Sequence, residues 1–294
     1  KRVNSLYFTA NLAYQNKLFL DITGRNDWSS TLPSKNRSFF YPSVSLSAMV
    51  NEIVKLPAFI SYLKLRASWA QVGNDTDPYR TAPYYSTSDF AGSLVKSSTL
   101  YNADFKPEMS NSWEGGFDIR FFKGRLGIDF TYYYNRTKNQ ILNAPFDPTT
   151  GYTKGIINSG CVSNKGAELV VKGTPIKTKS WEWNTTLSWS LNRNKIESLA
   201  ENADERQIIG SYVSGNVYLI GTVGGTTGDL WGYKLKRNPE GQVIIASTGL
   251  PDRPSEIEYV GCALPKWKGA FNTSLRYKNL KLSMQWDGQV GGIT

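Results

Sequence analysis

The chain has 294 residues, with 34 Lys and Arg against 24 Asp and Glu, a net charge of +10 and no His. The lack of His excludes imidazole acid–base chemistry, Ser-His-Asp and Cys-His nucleophiles and His-ligated metals, and two Cys cannot build a disulfide framework or a four-Cys zinc site. No apolar run approaches the roughly 18 residues of a transmembrane helix, yet a low mean hydropathy is compatible with a membrane β-barrel, whose strands turn only alternate residues to lipid.

Period-two alternation recurs along the chain and predicts ten strands. Leu6, Phe8, Ala10, Leu12 and Tyr14 alternate with Thr9 and Asn11, and Leu18, Leu20 and Ile22 alternate with Asp21 and Thr23. Val44, Leu46 and Ala48 oppose serines, and Leu63, Leu65, Ala67 and Trp69 oppose Lys64, Arg66 and Ser68. Trp113, Phe117 and Ile119 share a face opposite Glu114, Asp118 and Arg120. Leu126 to Tyr134 oppose Asp129 to Asn135, and Ala167, Leu169 and Val171 oppose Glu168 and Lys172. Trp181 to Leu191, Trp267 to Tyr277 and Leu280 to Trp286 complete the series. No helical period competes, so the chain is read as all-β.

The connections sort by length. Short turns are expected near Gln15–Lys17, Phe122–Gly124, Pro175–Ser180 and Lys278–Asn279, with a somewhat longer one through Val50–Ile60. Long segments lie at 26–38, 73–110, 137–160 and 193–265. Short on one side and long on the other is the antiparallel up-and-down pattern of a transmembrane β-barrel, with short periplasmic turns and long extracellular loops. The last long segment is expected to hold a hairpin, Leu230–Lys236 and Gln242–Ala246 around Asn238-Pro239-Glu240-Gly241.

Aromatic residues end several apolar faces: Tyr14, Trp69, Trp113, Tyr132, Tyr134, Trp181, Trp267, Tyr277 and Trp286. Such rings suit a membrane interface, apolar on one part and able to hydrogen-bond water with another. Candidate ligand contacts are the long-segment aromatics Trp28, Tyr84, Tyr85, Tyr101, Trp231 and Tyr233, whose ring faces can stack on a sugar beside Asn and Asp hydrogen-bond partners. The Gly221–Gly228 stretch lacks the P-loop Lys and reads as a flexible loop. Glu256, Glu258 and Asp252 are sequence neighbours in a loop, which does not make a glycosidase pair. Cys161 and Cys262 fall in or beside long segments, either paired or as two free thiols. The Lys and Arg are spread over the polar strand faces (Arg25, Lys64, Arg66, Arg120, Lys172, Arg276) and turns, which argues against a nucleic-acid surface.

The sequence resembles the SusC/RagA-type TonB-dependent outer-membrane transporters of Bacteroidetes over nearly its whole length. Leu20–Asp27 with Trp28-Ser29-Ser30 resembles the family's early barrel strand and loop, and Phe39–Ser47 its FFPSVSLS strand. Leu63–Asn74 resembles LKLRASYGQVGN, and Tyr132–Asn139, Asn164–Glu168 and Leu264–Gly269 resemble further strands. Asn238–Gly241 and Pro251–Pro254 depart from the acidic run often found in the family there. The resemblance implies a bacterial outer-membrane location and energised import of an oligosaccharide or peptide. Its implied partners are the TonB complex, acting through a plug domain, a SusD-like surface lipoprotein, and outer-membrane lipid or lipopolysaccharide.

No catalytic residue, metal or cofactor is expected. Such barrels have about 22 strands, so residues 1–294 are expected to be one later part of the barrel domain, without plug, early strands or last strands. The start at Lys1, with neither Met nor signal-peptide pattern, and the end at Gly291–Thr294 straight after a strand fit a piece of a longer polypeptide. Two other readings remain at this point: a soluble carbohydrate-binding β-sandwich and a passive porin-like barrel.

Overall fold

The computed structural model describes residues 1–90, 92–145, 148–158, 160–199, 206–212 and 216–293. Ten long strands form one antiparallel sheet: β1 (Val3–Tyr14), β2 (Leu18–Ser29), β3 (Ser38–Met49), β4 (Ile60–Asn74), β5 (Glu108–Phe121), β6 (Leu126–Lys138), β7 (Cys161–Lys177), β8 (Trp181–Ser198), β9 (Trp267–Tyr277) and β10 (Leu280–Val290). Each strand pairs with its neighbours in chain order, and β1 and β10 are the two edges. This is the up-and-down barrel connectivity expected from the alternation. Closure would need further strands, because an open edge leaves unpaired N–H and C=O groups.

The turns explain the short connections. Gln15 and Asn16 have φ of 50° and 55°, and the Lys17 N–H donates to the Tyr14 carbonyl at 2.9 Å. Two consecutive positive φ values match the right-handed twist of a hairpin. Phe122, Lys123 and Gly124 take positive φ in the same way between β5 and β6. A one-turn helix, Val50–Ile53, fills the connection between β3 and β4. The β3–β4 ladder begins at Ser43, one residue after Pro42, which has no N–H to give.

Register fixes the two faces. One row runs Leu20–Leu46–Ala67–Gly115–Tyr132–Ala167–Leu191 and another Leu65–Phe117–Phe130–Leu169–Trp189–Gly269–Gly288. These apolar rows are not covered by a second sheet. Leu6, Leu12, Leu65, Leu187, Leu282 and Met284 are exposed, whereas a sandwich would bury them. The other described sheets have two, three and four strands and lie in the long connections. The sandwich reading is therefore set aside.

The compact apolar core sits at the long-loop end. Leu32, Phe39, Phe105 and Ile156 are buried together, with Tyr41, Tyr101 and Ile141 against them. Backbone partners supplied by side chains hold these loops. Asn158 donates to the Lys106 carbonyl and accepts from the Lys106 N–H, both at 2.7 Å. Asn36 donates to the Phe105 carbonyl at 2.8 Å.

The last long segment holds a four-stranded sheet of Arg206–Tyr212, Val217–Thr222, Asp229–Gly232 and Glu258–Cys262. The Asn238–Gly241 turn forms as expected, with Arg237 bridged to Val243 and the Ile244 N–H donating to the Lys236 carbonyl at 3.0 Å, whereas Leu230 and Trp231 pair with Leu219 and Tyr218 on one side and Gly261 and Tyr259 on the other. Residues 200–205 and 213–215 of that segment lie outside the described residues. The Gly221–Gly228 stretch is an ordered turn, not a flexible loop. Asp229 accepts from the Thr226 N–H at 2.9 Å and hydroxyl at 2.6 Å, and Gly224 and Gly225 bond to Ile196 of β8.

Candidate functional site

The polar face is a lattice built by register. In one row Ser112 of β5, Asn135 of β6, Asn164 of β7 and Asn194 of β8 are neighbours; in the next stand Glu114, Tyr133, Gly166 and Asn192. A third row brings Thr131 beside Glu168 and Ser190. Alternation puts all of them on the face away from Phe130, Leu169 and Leu191. Ser112, Glu114, Thr131, Tyr133, Asn135, Asn164, Glu168 and Asn192, with Thr137, line an open concavity of about 500 Å³.

Its groups are linked to one another. Tyr133 donates its hydroxyl to Asn192 Oδ1 at 3.3 Å, and the Asn192 and Asn194 amides both donate to Asn164 Oδ1, at 3.1 and 3.0 Å. Ser110 donates to Asn135 Oδ1 at 2.9 Å. Gly166 makes room for the Tyr133 ring: a Cβ there would stand 2.5 Å from its hydroxyl oxygen and 2.3 Å from the Leu191 carbonyl. Amides and hydroxyls in fixed positions, with Glu114 and Glu168 at the margin, form a hydrogen-bonding surface for a ligand rich in hydroxyl or amide groups.

Toward the short-turn end the polar face carries ion pairs: Arg66 with Asp129 at 2.5 Å, Arg120 with Asp118 at 2.9 Å and Arg276 with Glu182 at 2.6 Å. These are three of the six cations expected on that face, and Arg25 pairs with Asp27 at 2.8 Å toward the long-loop end. Among the described residues no three His, Cys, Asp or Glu side chains gather in a metal-holding group. Asp252 pairs with Lys236 at 2.9 Å and Glu258 with Lys234 at 3.4 Å. Both thiols are free: Cys161 lies 3.4 Å from Glu197 Oε2 and Cys262 3.3 Å from the Thr226 hydroxyl.

The expected ligand-contact aromatics fall into separate places. Tyr84 and Tyr101 meet, with ring centroids 5.8 Å apart, and Tyr85 stands exposed beside them in sequence. Trp231 meets Tyr259 edge-on at 5.9 Å, and Tyr233 carries the Arg253 guanidinium 4.8 Å from its centroid. No ring contact joins the two groups among the described residues. Trp28 is a strand residue of β2, opposite Asn4 and Ser38 on the apolar-face parity, and not a loop residue.

The aromatic residues expected at an interface all lie on the ten strands. Trp69, Trp113 and Tyr134 share one row near the long-loop end, with the tryptophan centroids 6.0 Å apart, and Trp267 starts β9 at the same end. At the short-turn end Tyr14 closes β1, and the Trp181 and Tyr277 rings meet at a tilt of 37° with centroids 4.4 Å apart. Tyr132 and Trp286 lie further into the strands, opposite Ala167 and Phe271.

The lattice residues Glu114, Tyr133, Asn135, Asn164, Glu168 and Asn192 stood in the sequence only as the polar half of alternating strands. Register across four strands joins them, and no spacing within one strand reports it.

Three comparisons bear on this arrangement. The family model described as TonB dependent receptor-like, beta-barrel matches residues 1–292. TonB-dependent receptor P26 of Formosa agariphila is 28% identical over 99% of the chain and 32% of its own length. TonB-dependent receptor SusC of Bacteroides thetaiotaomicron is 26% identical over 68% of the chain and 21% of its own length. Among solved structures, the RagAB peptide transporter superposes with a TM-score of 0.81 at 21% identity, over 97% of the chain and 33% of that protein. The chain thus spans about a fifth to a third of the length of these relatives.

Proposed function

From the premise that the chain belongs to the TonB-dependent receptor-like β-barrel family, a family of outer-membrane receptors and transporters, we propose that residues 1–294 are one later part of the barrel of an energised nutrient importer of the SusC/RagA type. The premise leaves no support for a passive porin-like barrel. In this reading the apolar rows meet lipid, and hydrogen bonding across the sheet leaves no backbone group unsatisfied within it. The polar lattice forms part of the lumen wall on the substrate path, beneath the long loops.

The observation that carries the reading is the register-built surface of Asn135, Asn164, Asn192 and Tyr133, standing opposite exposed apolar rows. Neutral amides and hydroxyls suit an oligosaccharide or a peptide, both of which present alternating donors and acceptors. A plug domain elsewhere in the longer protein couples the barrel to the TonB complex. A SusD-like surface lipoprotein covers the long loops, where Tyr84, Tyr85, Tyr101, Trp231 and Tyr233 offer aromatic contacts. The similarity to SusC and to the RagAB peptide transporter supports both partners.

The test is binding of defined oligosaccharide and peptide pools to the full-length protein in detergent. Asn135→Ala with Asn192→Ala removes hydrogen bonds each worth about 1 kcal/mol, so the double variant should bind the selected ligand roughly thirtyfold more weakly. Unchanged affinity in a folded double variant would remove the lattice from the substrate path.

A further inference from the structure

Charge on the outward, apolar-face parity is concentrated at one place. Along β6 the outward residues run Tyr132, Tyr134, Arg136, Lys138; along β7 they run Leu169, Ala167, Lys165; along β8 they run Trp189, Leu191, Arg193, Lys195. On three adjacent strands the outward face thus changes from apolar to cationic within two or three alternate positions, at the long-loop end. At the matching outward positions of β2, β4 and β5 stand Asn26, Gln71 and Asn111, all neutral.

Register makes the cluster dense. Lys165 is directly opposite Arg193 on one side and Tyr134 on the other, in the row that continues to Trp113 and Trp69. Ser163 stands between Arg136 and Lys195 in the next row. The local carboxylate is Glu197, which pairs with Arg136 at 2.6 Å. Lys138, Lys165, Arg193 and Lys195 are exposed and have no carboxylate partner among the described residues. Like charges directly opposite one another on a sheet repel, and the arrangement is relieved by an anion that bridges them.

We infer that this outward cluster binds the phosphate groups of a phosphorylated glycolipid in the outer leaflet. Continuity with the aromatic row places the cations where an acyl chain can lie along the apolar band while its headgroup phosphate meets Lys165, Arg193 and Lys195. Lys and Arg are the side chains that take phosphate by charge-assisted hydrogen bonds, and basic residues just outside an apolar band select anionic headgroups. The outward direction distinguishes the site from the lumen lattice. The inference rests on the outer-membrane barrel reading, but a variant lacking the cations would still insert and bind substrate, so the two fail separately.

Native mass spectrometry of the full-length protein in detergent, titrated with bisphosphorylated or dephosphorylated lipid A, tests it. Lys165→Gln, Arg193→Gln and Lys195→Gln together should weaken retention of the bisphosphorylated lipid on the order of a hundredfold, taking each cation near a headgroup as worth about a kilocalorie per mole. Lys165→Arg with Lys195→Arg should retain it, and inorganic phosphate alone should not be retained at lipid concentrations. Equal retention of both lipids by the unaltered protein, or undiminished retention by the folded triple variant, would overturn the assignment. Loss of a co-purifying surface lipoprotein with lipid retention unchanged would overturn it in favour of a protein interface.

Discussion

At the residue scale, two positions show how local chemistry holds the long-loop end and the lattice. Asp75, just after β4, accepts from Lys1, from Ser29 at 2.5 Å and from Thr31 at 3.3 Å. Burial pushes its carboxyl up, but these donors outweigh burial and hold it below the usual carboxylate range. A carboxyl lowered by folding stabilises the fold above its ordinary pKa of roughly 4 and loses that contribution as pH falls through the range below it. Amide protection across residues 29–38, taken relative to the intrinsic exchange rate at each pH, should therefore fall at pH 3 relative to pH 7, more than in Asp75→Asn, which is already loosened at neutral pH. Equal protection at both pH values in the unaltered protein would contradict this role. Gly166 is the second position. Gly166→Ala forces Tyr133 or the β7–β8 ladder to shift, at a cost of about 1–3 kcal/mol, readable as a lower urea midpoint for the full-length protein refolded into lipid.

At the element scale, the ten strands and the sorting of short and long connections were legible because one face of each strand is apolar and the other polar. That signal ends where both faces are polar. β8 runs on through Asn194, Lys195 and Glu197 to Ser198, and β7 begins at Cys161, six residues before the apolar alternation from Ala167. The long strands thus rise beyond the apolar band, and period two leaves no trace there. The small loop strands were hidden for another reason. Thr99–Leu100 and Lys154–Asn158 are two and five residues long, and side-chain partners such as Asn158 and Asn36 anchor the neighbouring loops. The lattice was illegible because it depends on which strands are neighbours and in what register. A sharp prediction belongs at this scale: Leu65 lies on the outward face between Ala48 and Phe117. Leu65→Arg should destabilise the membrane-inserted protein by about 2–4 kcal/mol, as for a cation near a bilayer midplane. Lys64→Leu, one residue away on the inward face, should not show that depth-dependent penalty.

At the scale of the whole molecule, the distribution of burial matters more than its amount. Leu32, Phe39, Phe105 and Ile156 form a small core in the loops, while leucines and tryptophans of the sheet stand exposed in continuous rows. A water-soluble chain would not leave such rows bare, whereas a hydrocarbon solvent covers them without a second protein layer. Polar residues on the opposite face then need water or a ligand, which the concavity beside Tyr133 and Asn192 provides. The most direct measurement is site-directed labelling of the full-length protein in bilayers, with Cys161 and Cys262 replaced by Ser and single cysteines placed at Leu65, Leu187 and Leu282 and at Lys64, Glu168 and Asn272. A fluorophore at the first three positions should be quenched by a lipid-borne quencher and be inaccessible to a water-soluble one, with the reverse at the second three. Shielding of Leu65, Leu187 and Leu282 from both quenchers would mean that protein, not lipid, covers the apolar face.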